Sequence, residues 1–187
     1  MPSATEILIK YRSLIGIITL IVVLALATPS ARSIVIGFFF MMLGMFFRAW
    51  SAGYINKDKE LATEGPYSLT RNPLYFGNLL IGTGIALASD NWAAVLICAL
   101  YYFPFFIFLI VIERQRMKKR FGARYEEWAR QANLFFPRIK RIKKFNFNIA
   151  YYMKNREYRV LFYSLFIIAV LVVKYLKKIG FIGGIGK

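Results

Sequence analysis

Residues 65–88 read GPYSLTRNPLYFGNLLIGTGIALA, and this stretch decides the fold. Gly65-Pro66 is a turn pair. Asn72-Pro73 is how a helix begins, with asparagine capping free backbone N–H groups and proline in the first helical position. From Pro73 to Ala88 the chain is largely apolar, and Ser89-Asp90-Asn91 then makes a tight turn. A polar, turn-rich segment that opens directly into an apolar helix sets a compact constellation at the mouth of a bundle. Nearly everything around it is hydrocarbon-like.

The rest of the composition agrees. The chain has 187 residues, 58% of them hydrophobic and 18% aromatic, which points to one domain over 1–187. Mean hydropathy is +0.50, and the apolar residues come in long blocks, as in membrane helices. The formal charge is +17. Most of that charge sits between apolar segments, where it fixes topology and attracts anionic headgroups. Nucleic acid is excluded as the main partner, because phosphate binding needs a solvent-exposed basic surface. The single cysteine, Cys98, lies in an apolar run and reads as a small buried hydrophobe. There is no histidine, so the usual general base and the usual zinc, copper or haem ligand are absent. No metal site is expected.

Five apolar segments follow from the pattern: about Leu14 to Ala27 (extending back toward Ile7), Ser33 to Trp50, Pro73 to Ala88, Trp92 to Ile112, and Val160 to Val173 or Leu176. The first carries Lys10 and Arg12 before it and Ala25-Leu26-Ala27 at its end, so a cleaved signal peptide competes with a retained helix. The membrane segments that follow favour retention. Arg48 and Trp50 read as interfacial anchors, and Pro104 as a kink. Between the fourth and last segments lies a basic region from Glu113 to Arg159. Its first half reads as an amphipathic helix on the membrane surface, with Phe121, Tyr125 and Trp128 at helical spacing. The tail from Gly180 to Lys187 is glycine-rich. The expected fold is an all-α polytopic membrane bundle of about five transmembrane helices plus a cytoplasmic amphipathic helix. The basic region orients it, with the N-terminus and the Gly65 loop on the cytoplasmic side and the Ser89 turn outside. Lys174, Lys177, Lys178 and Lys187 then fall outside if the last segment spans.

This arrangement brings Lys57–Asn72 and Glu113–Arg138 to one face. Glu113 is an acid at the end of a long apolar helix, on the same side as Arg71, and an ionisable group at such a place is a functional candidate. The N-terminus at Asn72-Pro73 offers oriented N–H donors to an anion. Gly82-Thr83-Gly84 lets a helix or a flat ring approach closely, and helix packing is the commoner use of such a step.

KELATEGPYSLTRNPLYFGNLLIGTGIAL from Lys59, followed by ERQRMKKRFGARYEEWARQANLFFP from Glu113, closely resembles the isoprenylcysteine carboxyl methyltransferase family, a relative of the phospholipid N-methyltransferases. The resemblance covers the core from Lys59 to about Pro137 and leaves the last helix outside. It implies a membrane methyltransferase that uses S-adenosylmethionine and a lipid-like methyl acceptor. It also implies a cofactor site lined by Tyr67, Arg71, Asn72, Pro73, Tyr75 and Glu113, with Gly82 and Gly84 admitting a ring. Arg71 and Glu113 are the expected catalytic pair. Glu113 meets the cofactor's ammonium, Arg71 a carboxylate, and Tyr67 and Tyr75 border the adenosine. Asn72 stands where the family has histidine, and Arg114 replaces a second glutamate. Two other readings compete: an NADPH-dependent membrane reductase, with basic groups from Arg116 to Arg124 for the adenosine phosphate, and a non-catalytic membrane relative.

Overall fold

The computed structural model describes residues 4–56, 60–138 and 147–182. Lys57 to Lys59, the basic cluster Lys140, Arg141, Lys143 and Lys144, and the tail beyond Ile182 lie outside the described residues. Among the described residues the helices are, in order, α1 (Ala4–Leu26), α2 (Ala31–Ala52), α3 (Pro66–Leu69), α4 (Pro73–Ala88), α5 (Trp92–Gln131), α6 (Ile149–Lys154) and α7 (Tyr158–Lys178). Among the described residues there is no strand, only an isolated bridge between Thr70 and Asn133. The all-α membrane bundle expected from the sequence is what forms.

α2, α5 and α7 are long and apolar enough to cross a membrane. The apolar part of α1 (Ser13–Leu26) and the whole of α4 are shorter. The 16 residues of α4 span about 24 Å against a hydrocarbon core of about 30 Å. α5 is the largest departure from the sequence reading. It does not stop at Ile112 but continues as helix to Phe121, about 45 Å from Trp92, so roughly a third of that length projects beyond the hydrocarbon. Its backbone leaves helical geometry at Gly122 (φ 52°, ψ −130°) and not at Pro104. The expected surface helix is therefore in two parts: its first turns continue the membrane helix to Phe121, and a second helix to Gln131 follows the break, re-aimed by a glycine in a conformation that side chains resist.

The centre of the bundle is the antiparallel pair α2–α4. A Cβ on Gly44 would lie 2.6 Å from the Gly77 carbonyl oxygen, and one on Gly84 2.5 Å from that of Gly37. The two backbones thus meet glycine to glycine at two crossings seven residues apart, the small-residue contact by which membrane helices associate. Met41, Ile81, Ile85, Val23, Ile167 and Leu171 fill the core around them.

One end of the bundle is closed by polar clips. Thr28 donates its N–H to the Ser89 carbonyl (2.8 Å) and its hydroxyl to that of Asp90 (3.0 Å). Lys174 Nζ donates to the carbonyls of Leu24 (2.7 Å) and Ala25 (3.0 Å), and Lys178 Nζ to those of Thr28 (3.1 Å) and Pro29 (3.4 Å). These lysines, awkward for the charge rule, cap the carbonyl end of α1, where cations are favoured. Val23 and Ala27 are buried, so α1 packs as a member of the bundle.

Candidate active site

Toward the opposite end, α2, α3, the start of α4, α5 from Tyr101 to Trp128, Ser13 of α1 and the start of α7 surround a cavity of about 590 Å³. That volume is ordinary for a small-molecule or cofactor site.

The loop into α4 builds one wall. Gly65 turns with φ 56°, and a Cβ there would lie 2.6 Å from the Tyr54 ring. The turn points Tyr67 inward, and the residue is only 6% exposed. Trp128 Nε1 donates to the Tyr67 carbonyl at 3.3 Å, yet the buried Tyr67 hydroxyl has no hydrogen-bond partner among the described residues. Burial pushes this phenol well above its ordinary value. The Glu157 and Glu113 carboxylates push the same way, and Arg48 opposes them. It is therefore a neutral hydroxyl, available as a donor.

Thr70, Arg71 and Asn72 are held by the chain that follows α5. Arg71 N–H donates to the Asn133 carbonyl (2.8 Å), Arg138 N–H to that of Leu69 (3.0 Å), and the Thr70 hydroxyl to that of Phe135 (2.7 Å). Asn72 does not cap α4 with its side chain. Its amide donates instead to the Leu134 carbonyl at 2.8 Å, on the segment that bridges to Thr70 through Asn133. This clip leaves Arg71 facing the cavity, with its Nε buried and unpartnered among the described residues. Pro73 is fully buried at the cavity's edge, and Tyr75 stands edge-on to Phe106 with ring centres 6.2 Å apart.

α5 supplies the facing wall. Glu113, half-buried, borders the cavity. Among the described residues no hydrogen bond or ion pair engages its carboxylate. Arg114, Arg116 and Arg120 line the exposed mouth. The break at Gly122 turns the chain so that Phe121, Tyr125 and Trp128 all border the cavity. Lys118 bridges the break to Glu126 at 2.7 Å.

Of the residues singled out from sequence, Tyr67, Arg71, Asn72, Pro73, Tyr75 and Glu113 are thus brought together. Gly82 and Gly84 are not. A Cβ on Gly82 would run into the Tyr102 ring, and Gly84 faces Gly37 and Met41 of α2. Both lie at helix-packing contacts, outside the cavity lining. Sequence reasoning missed Arg48, Asn78 and Glu157. Arg48 is not an interfacial anchor; it donates to both oxygens of Glu157 and to Asn78 Oδ1. Trp50 is likewise turned inward, against Phe46 and Phe47. The one legible signal was Gly77, where a Cβ would lie 2.6 Å from Arg48 Cγ: the glycine makes room for an arginine stem.

Three helices long and apolar enough to cross a membrane, with a polar cavity at one end of the bundle, are the features of a membrane protein with a candidate small-molecule site. The chain belongs to the phospholipid methyltransferase family, whose model matches residues 11–124. That family falls in the isoprenylcysteine carboxyl methyltransferase-like group, as the motifs implied. It is a family of membrane methyltransferases. The chain is 36% identical over 94 residues to a cobalt-zinc-cadmium resistance protein of Cupriavidus metallidurans, covering 49% of this chain and 43% of that protein. It is 32% identical over 114 residues to a nickel-cobalt-cadmium resistance protein of Alcaligenes xylosoxydans xylosoxydans, covering 59% and 52%. The chain spans about half the length of these curated relatives. No solved structure matches it.

Proposed function

We propose that this chain is an integral-membrane methyltransferase that takes S-adenosylmethionine in the cavity at the α3–α5 end, faces the cytoplasm with that end, and methylates a lipid-like acceptor. One observation carries the reading. Tyr67, Arg71 and Glu113 border a single cofactor-sized cavity, and two of its buried donors, the Tyr67 hydroxyl and Arg71 Nε, lack partners among the described residues. Buried polar groups are nearly always satisfied, so orphans in a cavity wall point to a ligand.

The residues fit the cofactor. Its amino-acid end needs an anion and a cation. Glu113 meets the ammonium, and Arg71 the carboxylate. Tyr67 donates its hydroxyl to an acceptor atom of the ligand, and Tyr75 borders the adenosine. S-adenosylmethionine supplies a sulfonium methyl already activated for displacement. The protein's work is then positional: it holds both reactants in line and keeps water out. A carboxylate acceptor needs no general base. An amine acceptor must first lose a proton, and Tyr67, held protonated, is not the group to take it. A carboxylate on an amphiphile is therefore the favoured nucleophile. Arg114, Arg116, Lys118, Lys119, Arg120 and Arg124, all on the cavity's end of α5, support the cytoplasmic orientation.

The exposed arginines at the mouth also favour a second reading, in which NADPH brings its adenosine phosphate to Arg116 and Arg120. Incubating the purified protein with methyl-labelled S-adenosylmethionine and a membrane lipid extract separates the cases. Label in a lipid fraction, released by mild base as from a methyl ester, is the expected result. Base-stable label overturns the carboxylate preference, and no label together with NADPH oxidation overturns the methyltransferase.

A further inference from the structure

Arg48 places a cation where a charge acts strongly. Its side chain is only 15% exposed, and it borders the cavity. Arg114, Arg116 and Arg120 are exposed at the mouth, where water and salt screen them. Glu157, whose side chain is 7% exposed, answers that cation. It accepts from Nε at 3.0 Å and from Nη2 at 2.9 and 2.7 Å, and Asn78 Oδ1 takes a hydrogen bond from Nη1.

The α6–α7 junction is clipped onto the end of α2 to deliver this carboxylate. Asn148 N–H donates to the Gly53 carbonyl (3.0 Å), and the Asn155 amide to those of Ala52 (3.1 Å) and Ile55 (3.0 Å). Glu157 lies beyond the residues that the family model matches. The pair's field reaches the cavity wall, since both members act on the Tyr67 phenol in opposite senses.

We propose, resting on the reading that S-adenosylmethionine occupies this cavity, that Glu157 cancels the charge of Arg48 so that the wall accepts a cationic cofactor. The same cancellation sets how the site discriminates that cofactor from its demethylated product. The sulfonium carries a positive charge that the thioether S-adenosylhomocysteine lacks, while the amino-acid and adenosine ends of the two are identical. A bare Arg48 penalises the first and spares the second.

The test is the ratio of calorimetric affinities for these two ligands, measured on the full chain in detergent. Glu157→Gln keeps the side chain's shape and leaves Arg48 uncompensated. It weakens S-adenosylmethionine about tenfold more than S-adenosylhomocysteine, the order expected for a unit charge in a partly buried wall. Adding Asn78→Asp to that variant returns a carboxylate to the same guanidinium and restores the wild-type ratio. Asn78→Asp alone moves the ratio the opposite way, and decides the matter if Glu157→Gln does not fold. Equal losses for both ligands in Glu157→Gln, or a ratio unmoved by Asn78→Asp, overturn the inference and leave the pair as a tie between α2 and α7. Wild-type protein that binds neither ligand overturns the cofactor reading itself, an outcome distinct from either.

Discussion

Gly44→Ala tests the glycine crossing that positions the whole site. The added methyl would sit 2.6 Å from the Gly77 carbonyl oxygen and 2.8 Å from both the Ile81 nitrogen and Ile81 Cγ1. Ordinary contact begins at about 3.4 Å, so α2 and α4 must part by about 0.8 Å at this point. Two of the three neighbours are backbone and cannot rotate away. Parting packed surfaces by that much forfeits about a quarter to a half of the dispersion attraction between facing atoms, and overpacking costs about 1–3 kcal/mol. Alanine returns up to about 1 kcal/mol in helix propensity. The net loss is about 1–2 kcal/mol, which lowers Tm by about 2–8 °C in a chain of this size. Gly16→Ala is the control. Its methyl would meet the Tyr101 hydroxyl at 2.7 Å, the movable end of a side chain. Thermal unfolding in detergent, followed by the folded fraction on size exclusion after heating, reads both. A Gly44→Ala protein that melts with Gly16→Ala refutes the backbone contact.

The remaining predictions concern the site. Tyr67→Phe removes an unsatisfied buried hydroxyl, so the ligand-free protein keeps or gains stability, by up to about 1 kcal/mol. Cofactor affinity falls at the same time, by titration calorimetry; a stability loss with unchanged affinity contradicts the assignment. Because the Tyr67 phenol is raised in the folded state, its protonated form contributes stability below the ordinary value of 10.0. That stability is lost as pH rises above it, since the unfolded chain ionises first. Wild type therefore loses stability above that pH more steeply than Tyr67→Phe, and parallel curves would count against it. Gly122→Ala forces a side chain into φ 52° with open space around it. It costs about 1–2 kcal/mol through the backbone alone, and it weakens ligand binding because Tyr125 and Trp128 swing with the helix end.

Much of the fold was legible in sequence because membrane helices announce themselves by hydropathy. α4 begins and ends where the apolar run does, at Pro73 and Ala88. The misreading of α5 has a physical cause. Hydropathy reports where a helix leaves hydrocarbon, whereas backbone hydrogen bonding continues past Ile112 until Gly122 breaks it. The candidate site was legible where local chemistry marked it: a turn at Gly65, a helix start at Pro73, an acid at Glu113. It was illegible where partners are distant in sequence. Asn72 looked like a cap because nothing local reveals Leu134 as its acceptor. Arg48 looked like an anchor because Glu157 is 109 residues away. Gly82 and Gly84 were ambiguous between a ring and a helix until α2 and Tyr102 were seen against them.

The most direct measurement is S-adenosylmethionine binding to the detergent-purified chain by calorimetry, with NADPH and the Glu113→Ala variant alongside. Micromolar binding of S-adenosylmethionine, lost in Glu113→Ala and not matched by NADPH, is the predicted result. Folded wild-type protein that binds no S-adenosylmethionine, or binds it equally well without Glu113, contradicts the account.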